Sequence, residues 1–148
     1  MKLSQFSSHD LIELDLKSKN KQDVLKELVD ILGRSSSIID RQKLLENLTE
    51  REKLGSTGVG LGIAFPHART SGTRALCIAF GRSKKGVDFD SIDRKPVKLF
   101  FVVVSPEELH SEHLQVLAKL SLIMHKNENI LKALEADFPQ QILDLMDL

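Results

Sequence analysis

Val97-Lys98-Leu99-Phe100-Phe101-Val102-Val103-Val104 holds the longest strongly apolar run of the chain, the six residues from Leu99 to Val104. An apolar run of strand length, rich in β-branched and aromatic residues, suits a central strand covered on both faces by helices. Working outward, Arg74 to Gly81 reads as a second strand, and Gly86-Val87-Asp88-Phe89-Asp90 as a short extended piece and turn between the two. Leu11 to Leu16 alternates, with Ile12, Leu14 and Leu16 on one face and Glu13 and Asp15 on the other. That alternation predicts a half-buried strand.

Helices account for most of the remainder. Asn20 is the expected N-cap of a helix carrying Val24, Leu25, Leu28, Val29 and Leu32, with Gly33 as its stop. A second helix is expected to start at Asp40, carry Leu44, Leu45 and Leu48, and end near Lys53, just before Gly55. In the last third, Ser111 is placed to cap a helix with Leu114, Val116, Leu117, Leu120, Ile123 and Met124. Asn127 is placed to cap a shorter one with Ile130, Leu131 and Leu134. Pro139 opens a final helix with Ile142, Leu145 and Met146. The expected fold is α/β: a single domain, residues 1–148, with a mixed parallel and antiparallel sheet and helices packed on both faces.

Composition sets the bounds. A chain of 148 residues, 41% hydrophobic and 28% charged, is long enough for one domain with a real core. Lys+Arg and Asp+Glu are both 21, so the formal net charge is zero, which argues against nucleic-acid binding by bulk charge. Cys77 is the one cysteine, so there is no internal disulfide or multi-cysteine metal site, and its apolar setting reads as a buried strand. No apolar run approaches the about 20 residues needed to span a membrane, and the N-terminus lacks a signal-peptide core. The expected compartment is the cytoplasm.

Gly55 to Gly62 is unlike the rest, holding four of the chain's eight glycines. No Lys follows them as a phosphate-binding P-loop requires, and Gly58-Val59-Gly60-Leu61-Gly62 has the wrong spacing for a dinucleotide fingerprint. Backbone needs explain them better: a positive φ or the close approach of another group. Ile63-Ala64-Phe65-Pro66-His67 follows, and Pro66 marks an edge strand or irregular loop rather than a central strand.

Three side chains stand out. His67 follows a proline that fixes its backbone, and Arg69 is two residues on. His113 shares a helical face with Leu117, Leu120 and Met124 in the first turn, where the helix dipole disfavours imidazolium and favours a nearby anion. It reads either as a hydrogen-bonded structural histidine or as a donor at an anion site. Arg51, in Glu50-Arg51-Glu52, reads either as a helix-end cation paired with Glu or as an arm reaching the place where His67 emerges. His110 and His113 are three apart with no evident third ligand, so zinc is not expected, and His9 and His125 carry no signal.

Glu52 to Ala68, read as E-x6-V-G-x2-I-A-F-P-H-A, resembles the active-site signature of the type-2 enzyme IIA domains of the bacterial phosphotransferase system. These are the fructose/mannitol class, which includes the nitrogen-regulatory IIA proteins. His113-Leu114-Gln115-Val116-Leu117-Ala118-Lys119-Leu120-Ser121 resembles the helix of that family's second histidine. Gly86 to Asp90 and Pro96 to Pro106 resemble the stretch between. Two departures are visible: Phe65 stands where an aliphatic residue usually precedes Pro-His, and Arg94 stands where a glycine is common.

The resemblance implies roles. His67 would be the phosphorylated nucleophile, at Nε2; His113 would support the phosphoryl group; Arg51 would stabilise its charge. Phosphorylated HPr would be the donor and a cysteine of a IIB domain the acceptor, with no cofactor and no metal. The implied protein is not membrane-embedded, though it could dock to a membrane transporter complex. The alternative is a nitrogen-regulatory IIA that controls partner proteins by its phosphorylation state. A metal hydrolase using His67, His110 and His113 ranks far below both.

Overall fold

The computed structural model describes residues 1–148. Two short 3₁₀ turns, Leu3–Phe6 and His9–Leu11, lead into β1 (Ile12–Glu13), α1 (Lys21–Leu32) and α2 (Arg41–Lys53). There follow β2 (Gly58–Gly60), β3 (Ile63–Ala64), β4 (His67–Arg69), β5 (Cys77–Val87) and β6 (Val97–Ser105). The chain closes with α3 (His110–Met124), α4 (Asn127–Glu135) and α5 (Pro139–Met146). The six-stranded sheet runs β1-β5-β6-β3-β2, with β4 also on β6. β1–β5, β3–β6 and β4–β6 are parallel, whereas β2–β3 and β5–β6 are antiparallel. The mixed α/β sheet expected from the sequence is therefore present.

β6 is buried on both faces, and its side chains divide by parity. Leu99, Phe101 and Val103 join one core cluster with Val116, Leu120, Ile142 and Met146 of α3 and α5. Phe100, Val102 and Val104 join the other, with Val24, Leu28, Leu44 and Leu48 of α1 and α2. A continuous apolar run is what a strand needs when each alternate side chain meets a helical layer. Phe80 and Phe101 meet edge-on at 4.9 Å on the α3 side, and Phe89 and Phe100 at 5.2 Å on the other.

Local signals fix the first helices. The Asn20 side chain accepts from the Asp23 amide at 2.9 Å, and that of Asp40 from the Lys43 amide at 3.0 Å, each filling an amide the helix leaves unpaired. Gly33 does follow α1, but at φ −64, so no left-handed cap is formed. Its missing side chain makes room for the Arg41 guanidinium instead, which donates to the Gly33 carbonyl.

Several expectations need correction. The strand expected over Leu11–Leu16 is only two residues long. Leu14 stays with Ile12 on the α3 side, but Leu16 crosses to the α1–α2 core, where its methyls fill the space a Gly81 side chain would take. The second strand begins at Cys77 rather than Arg74 and continues beyond Gly81 to Val87. α3 starts at His110, before Ser111, with no side-chain cap, and Leu114 lies outward, 53% exposed. α4 begins at Asn127 with Lys126 before it and buries Asn129 and Ala133, leaving Leu131 and Leu134 exposed. Asn129 donates to the Ile123 carbonyl at 2.7 Å, and Arg82 donates to the Ala133, Leu134 and Ala136 carbonyls at the far end of the helix, so polar contacts hold it at both ends. No helix is long and apolar enough to cross a membrane.

Candidate active site

The glycine-rich segment becomes a narrow hairpin followed by a broken strand. Gly60 and Gly62 take φ of 94° and 76°, and between them Leu61 is also left-handed at φ 60°. The Asp93 carboxylate steadies this turn by accepting from the Leu61 amide. Gly58 serves close approach: a Cβ there would meet the Ser91 backbone at 3.0 Å. β3 pairs with both β2 and β6, so it is interior, which corrects the edge reading for Ile63–Ala64; β4 pairs with β6 alone. Pro66 lies at the break. It has no amide to give, and its carbonyl accepts from the Val103 amide at 2.9 Å.

The alternation survives the break. Ile63 and Phe65 lie on the α3 side, and Ala64 and Ala68 on the α1–α2 side, so His67 emerges toward α3. Phe65, next to a proline and therefore extended, directs its carbonyl at the ring two residues on. His67 Nδ1 lies 2.8 Å from that oxygen. A carbonyl can only accept, so Nδ1 carries the ring proton and the lone pair is at Nε2. Arg51 Nε donates to His67 Nε2 at 3.4 Å, and its Nη1 donates to the Gly55 carbonyl at 2.9 Å. Arg51 makes no ion pair with a neighbouring Glu. Burial first, then the Arg51 guanidinium, lower the His67 pKa from its usual value, against the opposing pull of the Phe65 carbonyl. The ring is thus neutral near pH 7.

His113 reaches the same cleft from the first turn of α3. It is 4% exposed, and its ring centroid lies 5.5 Å from that of His67. Its Nδ1 is 2.7 Å from Ser105 Oγ at the end of β6. Burial, followed by the charges of His67, Arg69 and His110, lowers its pKa to about 4. The three residues singled out in the sequence therefore share one cleft of about 500 Å³, lined also by Asn47, Glu50, Arg69 and His110. No cluster of three or more His, Cys, Asp or Glu side chains is arranged to hold a metal ion. Phe65 is 7% exposed and stacks on Phe101, and it also lines a shallow surface pocket with Arg51 and His67, so the departure at this position changes the packing beneath His67 and part of the surface beside it.

Other residues of the site gave less warning. Glu52 is buried and accepts from the Thr57 amide at 3.1 Å and from the Thr57 hydroxyl, while Lys21 pairs with it at 3.0 Å. Lys21 also donates to the Phe89 carbonyl, which accepts from Ser56 Oγ as well. α1, the end of α2, the glycine loop and the 88–90 turn are thus tied together beneath Arg51. Ser105 extends the odd-numbered stripe Leu99, Phe101, Val103 of β6 by one step, eight residues before His113. That spacing was its only signal.

Fold and cleft together define the class. The crystal structure of the nitrogen regulatory protein IIA-Ntr from Neisseria meningitidis superposes with a TM-score of 0.91 at 32% identity, covering 97% of this chain and 98% of that one. The fructose-specific EIIA component of Haloferax volcanii is 35% identical over 97% of this chain and 94% of its own length. The fructose-specific EIIABC component of Bacillus subtilis is 37% identical over 99% of this chain, which spans 23% of that longer protein. The sequence model of the family described as "Phosphoenolpyruvate-dependent sugar phosphotransferase system, EIIA 2" matches residues 5–147, and the chain belongs to this family.

Proposed function

We propose that the chain is a phosphoryl carrier of a phosphoenolpyruvate-dependent sugar phosphotransferase system, acting in the cytoplasm as one type-2 IIA domain over residues 1–148. It accepts the phosphoryl group of phospho-HPr on His67 Nε2 and passes it to a cysteine of a IIB domain. The observation that carries this reading is the His67 ring, pinned through Nδ1–H on the Phe65 carbonyl with Nε2 left as the lone pair beside Arg51. Neutral imidazole so oriented is a nucleophile near pH 7.

In the first transfer the Nε2 lone pair attacks phosphorus. The Nε2–P bond forms as the bond from phosphorus to HPr breaks, and that electron pair returns to HPr. The imidazole gains positive charge as the bond forms, and the Phe65 carbonyl faces the Nδ1–H where part of it falls. Arg51 and His113 flank the position of the phosphoryl oxygens, whose charge is the main burden of such a transfer. In the second transfer the cysteine thiolate forms an S–P bond as Nε2–P breaks, and the pair returns to Nε2.

The likeness to the Neisseria nitrogen regulatory protein supports a second reading, in which the phosphorylation state controls partner proteins instead of feeding a transporter. The test is incubation with phosphoenolpyruvate, enzyme I and HPr. One acid-labile, base-stable phosphate is expected, and none in His67→Ala. Stoichiometric labelling of that variant overturns the assignment. Chase of the label onto a IIB cysteine separates the transport reading from the regulatory one.

A further inference from the structure

We propose that Ser105 is a positioning residue whose hydroxyl donates to His113 Nδ1 and so holds the neutral ring with its proton on Nε2, at the edge facing the cleft. Ser105 is fully buried at the end of β6, and its hydroxyl has a single hydrogen-bond partner, His113 Nδ1 at 2.7 Å. Two arrangements satisfy that distance. If Nδ1–H donated to the serine oxygen, the serine's own hydrogen would be left without an acceptor inside the protein, and a buried unpaired donor is costly. If the serine donates, both groups are satisfied. The neutral ring then has its lone pair at Nδ1 and its proton at Nε2. With its pKa lowered to about 4, His113 is neutral at physiological pH, so the choice of tautomer decides what the ring offers the cleft.

The two histidines then hold opposite tautomers for opposite tasks. His67, on a carbonyl that can only accept, presents a lone pair. His113, on a hydroxyl with nowhere else to donate, presents an N–H. A lone pair suits attack on phosphorus, and an N–H suits a phosphoryl oxygen. The other tautomer of His113 would turn a lone pair toward that anionic oxygen. The catalytic half of this inference rests on the phosphoryl-carrier reading, but the tautomer does not.

The tautomer is read directly from long-range proton–nitrogen NMR spectra of the unphosphorylated, nitrogen-15-labelled protein. The expected result is a protonated Nε2 and an unprotonated Nδ1 at His113, with the reverse at His67. In Ser105→Ala, His113 is expected to lose this single tautomer, and transfer from HPr to slow by about ten- to a hundredfold, as when a group orienting a metal-ligating histidine is removed. The loss falls on kcat, with KM for phospho-HPr unchanged, and Ser105→Thr, which keeps the hydroxyl, recovers the tautomer. A proton on His113 Nδ1 in the unsubstituted protein overturns the proposal whatever the variants do. So does a Ser105→Ala variant with unchanged tautomer and rate. Failure of phosphoryl labelling would strike the carrier reading and leave the ring spectrum as it is.

Discussion

On one side of β6, β5 pairs with it in unbroken antiparallel register from Cys77 to Arg82, buried on both faces. On the other side β3 and β4 touch it for two and three residues, parallel, with Pro66 between them. The first flank carries core and no candidate chemistry. The second presents His67, with Arg51 and the left-handed turn at Gly60–Gly62 close by. A regular ladder consumes every amide and carbonyl, whereas a broken one leaves groups free to aim a ring. The Phe65 carbonyl that orients His67 is such a group. This division separates what stabilises the fold from what, in the proposed function, performs the transfer.

The division predicts where substitutions act. Phe80 on β5 is fully buried and packs edge-on against Phe101, so Phe80→Ala is expected to lose about 3–5 kcal/mol in urea unfolding. The fraction still folded is expected to accept phosphate at the normal rate. Arg51→Ala and His113→Ala are expected to do the reverse for chemistry: rapid-quench transfer from HPr falls by about 10²–10³ in each, the usual cost of one charge-stabilising donor. Normal rates in both would make the irregular flank structural too.

A smaller effect comes from the neutral, buried His113. Its pKa is lowered from 6.5 to about 4 in the folded protein, so between these values the unfolded chain binds more protons than the folded one. The resulting stability is complete above about 6.5 and is lost as pH falls toward 4, with a slope of at most about 1.4 kcal/mol per pH unit. Urea midpoints across that range are expected to show the slope, and His113→Gln to reduce it, leaving the part of the same sign that comes from the lowered pKa of His67. Smallest of all is Arg94, exposed and left-handed at φ 61. Arg94→Gly relieves that conformation but frees the unfolded chain, so a gain between a few tenths and about 1 kcal/mol is expected from thermal unfolding.

The same contrast explains what could be read in advance. β6, α1 and α2 were legible because their signals are local: an apolar run, Asn20 capping Asp23, Asp40 capping Lys43. His67, His113 and Arg51 could be named from the sequence, but their meeting could not, because it joins three elements through the fold. The departures are non-local as well. Leu16 leaves the predicted face because distant Gly81 has no side chain there, and α4 turns Leu131 and Leu134 outward while Asn129 and Ala133 face inward, held by the Ile123 carbonyl and by Arg82 of β5. Leu114 obeys the helical period yet faces outward, since α3 borders an open cleft rather than a second layer at that end. Arg94 is the converse: an exposed residue where a glycine was expected, and the turn is left-handed there.

In the proposed function the broken flank of β6 delivers one reactive atom, His67 Nε2. Long-range proton–nitrogen NMR of the phosphorylated, nitrogen-15-labelled protein tests it most directly, because phosphorus on a ring nitrogen changes the shift of that atom and splits its signal. Phosphorus is expected on Nε2 of His67, with Nδ1 still protonated against the Phe65 carbonyl. Phosphorus on Nδ1 of His67, or on any other residue, would contradict it.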